Sequence, residues 1–233
     1  MNFDTKILLI SFVVSIILGI LVIPILKKLK VGQIERDDGP KSHLKKQGTP
    51  TMGGIIIILS MCIVCVGLFL YYTKYRLEPT IAKNILPLLI TAVGFGLIGF
   101  IDDFKKLVLK NTKGLSPKAK MLGLLIIAVG YTLYLTKVLN IGTDIYIPFV
   151  KNSIVIPIWL YIPLAILVML ATTNAINLTD GIDGLSSSVT TIILTCLTVI
   201  AIIFDVKEVT LFGSALSGAC LGFLLFNLYP SKV

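Results

Sequence analysis

Charged residues are scarce in this 233-residue chain, at 14% of the total, and histidine and tryptophan occur once each. Average proteins are about 25% charged, so this chain has too few charges to cover the surface of a soluble globule. Hydrophobic residues make up 56%, which also excludes intrinsic disorder, because disordered chains are poor in apolar residues. The composition therefore indicates a membrane protein.

The sequence also lacks the short motifs of several large enzyme classes. It contains no GxxxxGK[ST] phosphate-binding loop, no HExxH zinc motif and no GxSxG nucleophile elbow. The net charge of +9 comes from basic residues placed between apolar runs, where they more often face lipid headgroups or set topology than bind nucleic acid. We therefore expect no nucleic-acid partner.

Seven uncharged apolar runs are candidates for membrane spans. A helix rises about 1.5 Å per residue, so about 20 apolar residues cross the roughly 30 Å hydrocarbon core. The sequence thus predicts an all-α polytopic membrane protein, with a short β-hairpin near residues 141–153, where apolar and polar residues alternate. The runs cover residues 7–26, 53–72, 84–101, 121–136, 154–173, 186–204 and 209–229.

Basic residues are distributed unevenly between the two predicted sides of the membrane. Segments 27–52 and 102–120, with Lys232, carry fourteen Lys and Arg, whereas the other side carries seven. Basic loops stay in the cytoplasm, so the N-terminus is expected outside. The first run lacks a preceding basic region, which indicates a retained span rather than a signal peptide. No linker marks a boundary, so we expect residues 1–233 to form one membrane domain.

Polar residues gather in three segments on the predicted cytoplasmic side. The first, residues 39–54, combines lysines with Gly, Pro and Thr, which would let its backbone approach a polyanion closely. An ordinary basic loop explains its charge equally well.

Asp102 and Asp103 follow the third apolar run. Adjacent carboxylates repel, and acids at a helix C-terminus oppose the helix dipole, so the pair needs a cation. Lys106 would supply part of that charge if the helix continues, because it lies four residues after Asp102. Mg²⁺ commonly binds one or two carboxylates plus substrate phosphates, which makes the pair a candidate magnesium site. The alternative is a pair of solvated acids neutralised by lysine.

Segment 174–185 is the strongest indication of a ligand or metal site, because it contains acids and amides but no basic residue. Asn174, Asn177, Asp180 and Asp183 recur every three residues, so successive members would face one another on a helix, and two glycines would let the chain turn. Together the three segments favour phosphate-bearing reactants, whose transfer depends on positioning and on charge neutralisation.

These segments, in this order, resemble the bacterial phospho-N-acetylmuramoyl-pentapeptide transferases, the first membrane enzymes of peptidoglycan synthesis. Thr179 and the Thr-Pro-Thr-Met-Gly-Gly stretch point to this branch rather than to relatives that transfer N-acetylglucosamine phosphate. The matching residues are Lys41-Ser42-His43-Leu44, Gly48-Thr49-Pro50-Thr51-Met52-Gly53-Gly54, Asp102-Asp103-Phe104-Lys105-Lys106 and Asn177-Leu178-Thr179-Asp180-Gly181-Ile182-Asp183-Gly184-Leu185.

The resemblance implies transfer of phospho-MurNAc-pentapeptide from UDP-MurNAc-pentapeptide to undecaprenyl phosphate, with Mg²⁺, giving lipid I and UMP. It implies a site on the cytoplasmic face of the bacterial inner membrane, surrounded by membrane lipid. Asp102, Asp103 and Asp180 match catalytic positions, and the first two are also the implied metal ligands. The implied substrate-binding residues are Lys46, Thr51, Lys106, Lys118, Asn177, Asp183 and Asn227.

The family pattern continues beyond Val233 with further spans, a Gly-Asp-x-Gly-type motif and a histidine cluster. We therefore expect the chain to be C-terminally incomplete, and an inactive truncated protein is one alternative. A sister transferase that uses UDP-N-acetylglucosamine is another. A transporter or an inert scaffold is disfavoured, because its ionisable residues would lie within the spans. The roles of the aspartates as base, nucleophile or metal ligand stay open, as does the oligomeric state, a homodimer included.

Overall fold

The computed structural model describes residues 2–29, 50–109 and 114–233. Within those ranges it contains seven helices that are long and apolar enough to cross a membrane, which confirms the predicted all-α polytopic class. The helices are α1 Phe3–Lys28, α2 Gly54–Lys74, α3 Pro79–Leu109, α4 Pro117–Lys137, α5 Ile158–Thr179, α6 Leu185–Ile203 and α7 Lys207–Asn227.

The predicted hairpin is present between α4 and α5. Strands β1, Asp144–Ile147, and β2, Asn152–Val155, pair antiparallel, with Asp144 opposite Val155. The predicted start of the fifth span at residue 154 is wrong, because that residue belongs to β2. Helix α5 begins only after Pro157, whose carbonyl oxygen accepts hydrogen bonds from Leu160 and Tyr161. Proline suits this place, since its missing N–H is one that the first helical turn leaves unpaired anyway.

Helix α3 is longer than the sequence predicts at both ends. It begins at Pro79 and continues to Leu109, beyond the predicted end at residue 101. Asp102 and Asp103 therefore lie within the helix, not at its C-terminus as expected. The extension satisfies the condition for pairing between Asp102 and Lys106, which face each other only if the helix continues.

The described residues form two compact units, Met1–Ser116 with Thr179–Val233 and Pro117–Leu178. In the first unit, α7 is the most buried helix, and α1 packs along it. The Ser11 and Ser15 hydroxyls donate to the carbonyl oxygens of Ala215 and Ala219, at 2.5 and 2.8 Å. Small residues allow backbones to approach this closely in membranes. The prediction of one domain stays a prediction.

The second unit contains α4, the hairpin and α5. Leu124, Ala128, Thr132 and Thr136 form a buried stripe along α4, at the four-residue spacing of one helix face. None of the residues of α5 is buried. Its side chains are all exposed or half-buried.

Candidate functional site

Asp102, Asp103 and Lys106 form an ion-paired group near the C-terminal end of α3, which we call the acidic cluster. The Lys106 Nζ lies 2.9 Å from Asp102 Oδ2 and 2.9 Å from Asp103 Oδ1. The Asp102 side chain is 10% exposed, whereas those of Asp103 and Lys106 are each 39% exposed. Asp103 therefore offers the more accessible carboxylate, and the lysine neutralises one of the two negative charges.

A backbone contact that the sequence analysis missed holds the second oxygen of Asp102. The backbone N–H of Leu115 donates to Asp102 Oδ1 at 2.7 Å. Gly114 precedes it with φ +52°, and a Cβ on Gly114 would collide with the Asp102 carboxylate and the Lys106 side chain. Only glycine fits this close approach without strain. An isolated glycine after a basic segment gives little sign of such a role.

The third polar segment is helical only at its beginning. Helix α5 ends at Thr179, so Asp180 and Asp183 lie in the turn before α6, and the prediction that successive members face one another on a helix is wrong for these two residues. Asn174 donates its side-chain amide to the Leu170 carbonyl oxygen at 2.7 Å. The glycines allow the turn as predicted, because Gly184 adopts φ +73° at the N-cap of α6.

Asn227, at the end of α7, ties this turn to the chain that follows α7. Its Oδ1 accepts hydrogen bonds from the Gly184 N–H at 3.2 Å and from the Ser187 hydroxyl at 2.7 Å. Its Nδ2 donates to the Val233 carbonyl oxygen at 3.0 Å. In this arrangement Asn227 positions the turn. Ser187 is a further residue of this hydrogen-bond network. The sequence analysis did not identify it, because it lies after the acidic motif.

Asp183 is held by the same chain segment. Its Oδ2 accepts a hydrogen bond from the Ser231 N–H at 3.2 Å. Asp180, by contrast, is exposed in the turn. The turn therefore places the Asp183 carboxylate against the chain after α7, whereas Asp180 lies at an exposed position.

Several elements of the first unit converge at the end that carries the acidic cluster. Leu107, next to Lys106 in α3, packs against a buried group that includes Phe223 and Val233. Gly53 lies against the same two residues, since a Cβ there would meet both side chains. Half-buried Thr51 is two residues away in sequence.

Three of the predicted ligands lie outside the described residues or in the second unit. Lys46 lies outside the described residues. In the second unit, Asn177 Oδ1 accepts a hydrogen bond from Lys120 Nζ at 3.3 Å, and Lys118 is exposed in the first turn of α4.

The acidic cluster can offer a metal ion two carboxylates. Among the described residues, no group of three or more His, Cys, Asp or Glu side chains is placed to hold one. Mg²⁺ does not need such a group, since it commonly takes one or two carboxylates together with substrate phosphates and water. The donor set of Asp102 and accessible Asp103 therefore fits Mg²⁺ better than a metal that requires an all-protein cage.

Comparisons with known proteins point to one family. The family model described as glycosyl transferase family 4 matches residues 85–233, and the phospho-N-acetylmuramoyl-pentapeptide-transferase signature 1 matches residues 46–58. These two matches include the acidic cluster, the turn before α6 and Asn227, as well as Lys46 and Thr51.

Curated relatives agree with these matches. A phospho-N-acetylmuramoyl-pentapeptide-transferase of Acetivibrio thermocellus is 43% identical over 97% of this chain and 65% of its own length. The corresponding proteins of Halalkalibacterium halodurans and Clostridium botulinum are 42% and 45% identical over 97% of this chain, and 67% and 66% of their own lengths. The chain thus spans about two thirds of the length of the curated relatives it matches.

Proposed function

Because the chain belongs to the phospho-N-acetylmuramoyl-pentapeptide transferases of glycosyl transferase family 4, we propose that it acts in the transfer of phospho-MurNAc-pentapeptide from a UDP carrier to undecaprenyl phosphate. The products are lipid I and UMP. The proposal includes the bacterial inner membrane as the location, the N-terminus outside and the site on the cytoplasmic face. The excess of basic residues in segments 27–52 and 102–120 supports that orientation.

The observation that carries the proposal is the acidic cluster. Asp102 is held by Lys106 on one oxygen and by the Leu115 N–H on the other, so the orientation of its carboxylate is fixed. Lys106 is thereby positioned beside the more exposed Asp103. Such an arrangement suits phosphoryl transfer, in which catalysis depends mainly on positioning and on stabilisation of the transition state by preorganised charges.

We assign Asp102 and Asp103 together as the carboxylates that would hold the metal. Asp103, the more exposed of the two, would also meet substrate, and Asp102 would in addition orient Lys106. Mg²⁺, when bound by Asp102 and Asp103, would neutralise phosphate oxygens of the UDP-sugar. Lys106 would compensate further negative charge on the same phosphates. Asp180, the exposed acid of the turn before α6, is assigned to the same substrate, together with Asp183. The assignment of Asn177 and Lys118 as nucleotide or phosphate contacts rests on the family resemblance alone.

The chemistry needs little proton transfer. A phosphate monoester has a second pKa near 6, so undecaprenyl phosphate is mostly dianionic at pH 7. One of its oxygens forms a bond to the sugar-linked phosphorus, and the bond from that phosphorus to the bridging oxygen breaks. UMP leaves with the electron pair. The chain's residues thus serve chiefly to align two anions and offset their repulsion.

The test is UMP release by the 233-residue chain in detergent, with undecaprenyl phosphate and one UDP-sugar at a time. We expect Mg²⁺-dependent release from UDP-MurNAc-pentapeptide and none from UDP-N-acetylglucosamine. Asp103→Asn should lower the rate by about 10²-fold, the typical loss on removing one charge-stabilising group. Asp144→Asn, at an exposed position of strand β1, is the matched control and should leave the rate unchanged.

Two outcomes would contradict the proposal. Equal release from both sugars would indicate a less selective sister transferase. An absence of release from either sugar, by a chain that unfolds cooperatively, would mean that this chain does not perform the transfer by itself.

A further inference from the structure

A cavity of about 430 Å³ lies in the first unit at the end opposite the acidic cluster. It is formed where α1 and α7 begin and α2 and α6 end, whereas the acidic cluster lies near the end of α3. We call it the distal cavity. Its volume falls within the roughly 300–1,000 Å³ typical of small-molecule sites. Its lining includes Asp4, Arg76, Glu78, Asp205 and Lys207, with the aromatic residues Phe3, Tyr71 and Tyr72.

Charges of both signs line the distal cavity, and few of them are paired. Arg76 Nε lies 3.9 Å from Glu78 Oε1, a loose contact between exposed side chains. Asp4, Asp205 and Lys207 form no ion pair with any residue in the described part of the chain. A complementary ligand therefore carries a cationic group for the carboxylates and an anionic group for Lys207 and Arg76.

Aromatic rings form one wall of the distal cavity. Tyr71 stacks on Phe3 at a centroid distance of 5.3 Å and on Tyr75 at 6.2 Å. Because other rings stack on the Tyr71 ring, it is poorly placed to bind a quaternary ammonium by a cation–π contact. Carboxylates prefer a cation that donates N–H hydrogen bonds, so a primary ammonium suits this cavity better than a choline group.

The location favours a lipid over a soluble molecule. All four helices around the cavity are candidate membrane spans, and the cavity lies where they begin or end. Tyrosine and tryptophan concentrate at that level, beside the lipid headgroups. We propose that the distal cavity binds the headgroup of a phospholipid that carries both a phosphate and a primary ammonium, as in phosphatidylethanolamine.

In this arrangement Asp4 and Asp205 accept hydrogen bonds from the ammonium, and Lys207 and Arg76 contact the phosphate. The site is separate from the acidic cluster, and its occupancy is independent of the transfer reaction proposed above.

The experiment measures retention of radiolabelled dioleoyl-phosphatidylethanolamine by the immobilised 233-residue chain in detergent. We expect dioleoyl-phosphatidylcholine, dioleoyl-phosphatidylglycerol and free phosphoethanolamine to compete only at about tenfold higher concentration or more. The double variant Asp4→Asn, Asp205→Asn should weaken retention by about tenfold or more, because charge-assisted hydrogen bonds are lost. Asp144→Asn should retain the lipid as the unsubstituted chain does.

A second variant tests the phosphate half of the assignment. Lys207→Gln should weaken the binding of all three lipids by a similar factor, because all three carry the phosphate. The preference for the lipid with a primary ammonium should remain. Unchanged retention by the double aspartate variant, or equal competition by phosphatidylcholine, would overturn the proposal. Free phosphoethanolamine that competes as strongly as the lipid would overturn the lipid assignment. Thermal unfolding without added lipid checks that each variant is folded.

Discussion

Replacing Gly218 with alanine should force α1 and α7 apart and lower the free energy of unfolding. A Cβ on Gly218 would collide with the Leu8 carbonyl oxygen and lie 2.9 Å from the Ser11 Cβ. The obstacle is largely backbone, which cannot rotate away as a flexible side chain could. Separation of the helices would also weaken the two hydrogen bonds that α1 serines donate to α7 carbonyl oxygens.

The expected size of this effect follows from three contributions. Overpacking a well-packed contact costs about 1–3 kcal/mol. Interhelical hydrogen bonds in membranes contribute about 0.6 kcal/mol each on average. Alanine gains roughly 0.8–1 kcal/mol over glycine in helix propensity, which offsets part of the loss. The net loss for Gly218→Ala is therefore about 1–3 kcal/mol.

Denaturant titration of the chain in micelles, followed by circular dichroism, measures this loss. Gly67→Ala is the matched control, because Gly67 is also within a span but has no heavy atom within 4 Å of its Cβ position. The control should be as stable as the unsubstituted chain or slightly more stable. If Gly218→Ala is as stable as Gly67→Ala, the close packing of α1 on α7 does not stabilise the fold as argued.

Two further variants probe the candidate site. Gly114→Ala should push the Asp102 carboxylate away from the Leu115 N–H, so hydrogen exchange at that amide should accelerate by about tenfold, the factor that corresponds to loss of one typical hydrogen bond. Ser187→Ala removes the 2.7 Å hydrogen bond to Asn227 and should lower the unfolding free energy by about 0.5–1.5 kcal/mol in the same denaturant titration.

Each variant has a matched control. Gly99→Ala lies in α3, where a Cβ meets nothing within 4 Å, and should leave exchange at Leu115 unchanged. Ser186→Ala removes the neighbouring hydroxyl of α6 and should cost less than Ser187→Ala. If exchange at the Leu115 amide is no faster in the Gly114 variant than in the unsubstituted chain, the contact between Leu115 and Asp102 is refuted. If the two serine variants are equally stable, the contact between Ser187 and Asn227 is refuted.

Composition and spacing predicted much of the fold because they depend on local properties. The apolar runs predicted seven spans, and the alternation of apolar and polar residues predicted the hairpin. The pairing of Asp102 with Lys106 followed from the four-residue helical spacing. Such features need no knowledge of what packs against them, so one sequence is sufficient to predict them.

Features that depend on distant parts of the chain were not predictable in the same way. The glycines of the third segment predicted that the chain could turn, but not that the turn begins after Thr179 or that Asn227 accepts a hydrogen bond from the Gly184 N–H. Asn227 is 43 residues from Gly184. The contact of Leu115 with Asp102 likewise requires the chain to return after α3.

The charge balance of the acidic cluster bears on how it could meet a phosphate. Two carboxylates and one ammonium leave a net charge of −1, which would repel a phosphate. At a separation of about 4 Å and an effective dielectric constant near 20, repulsion between two unit charges is about 4 kcal/mol. A divalent cation would reverse the sign of the cluster to +1. The charge of these side chains therefore supports the proposed magnesium requirement.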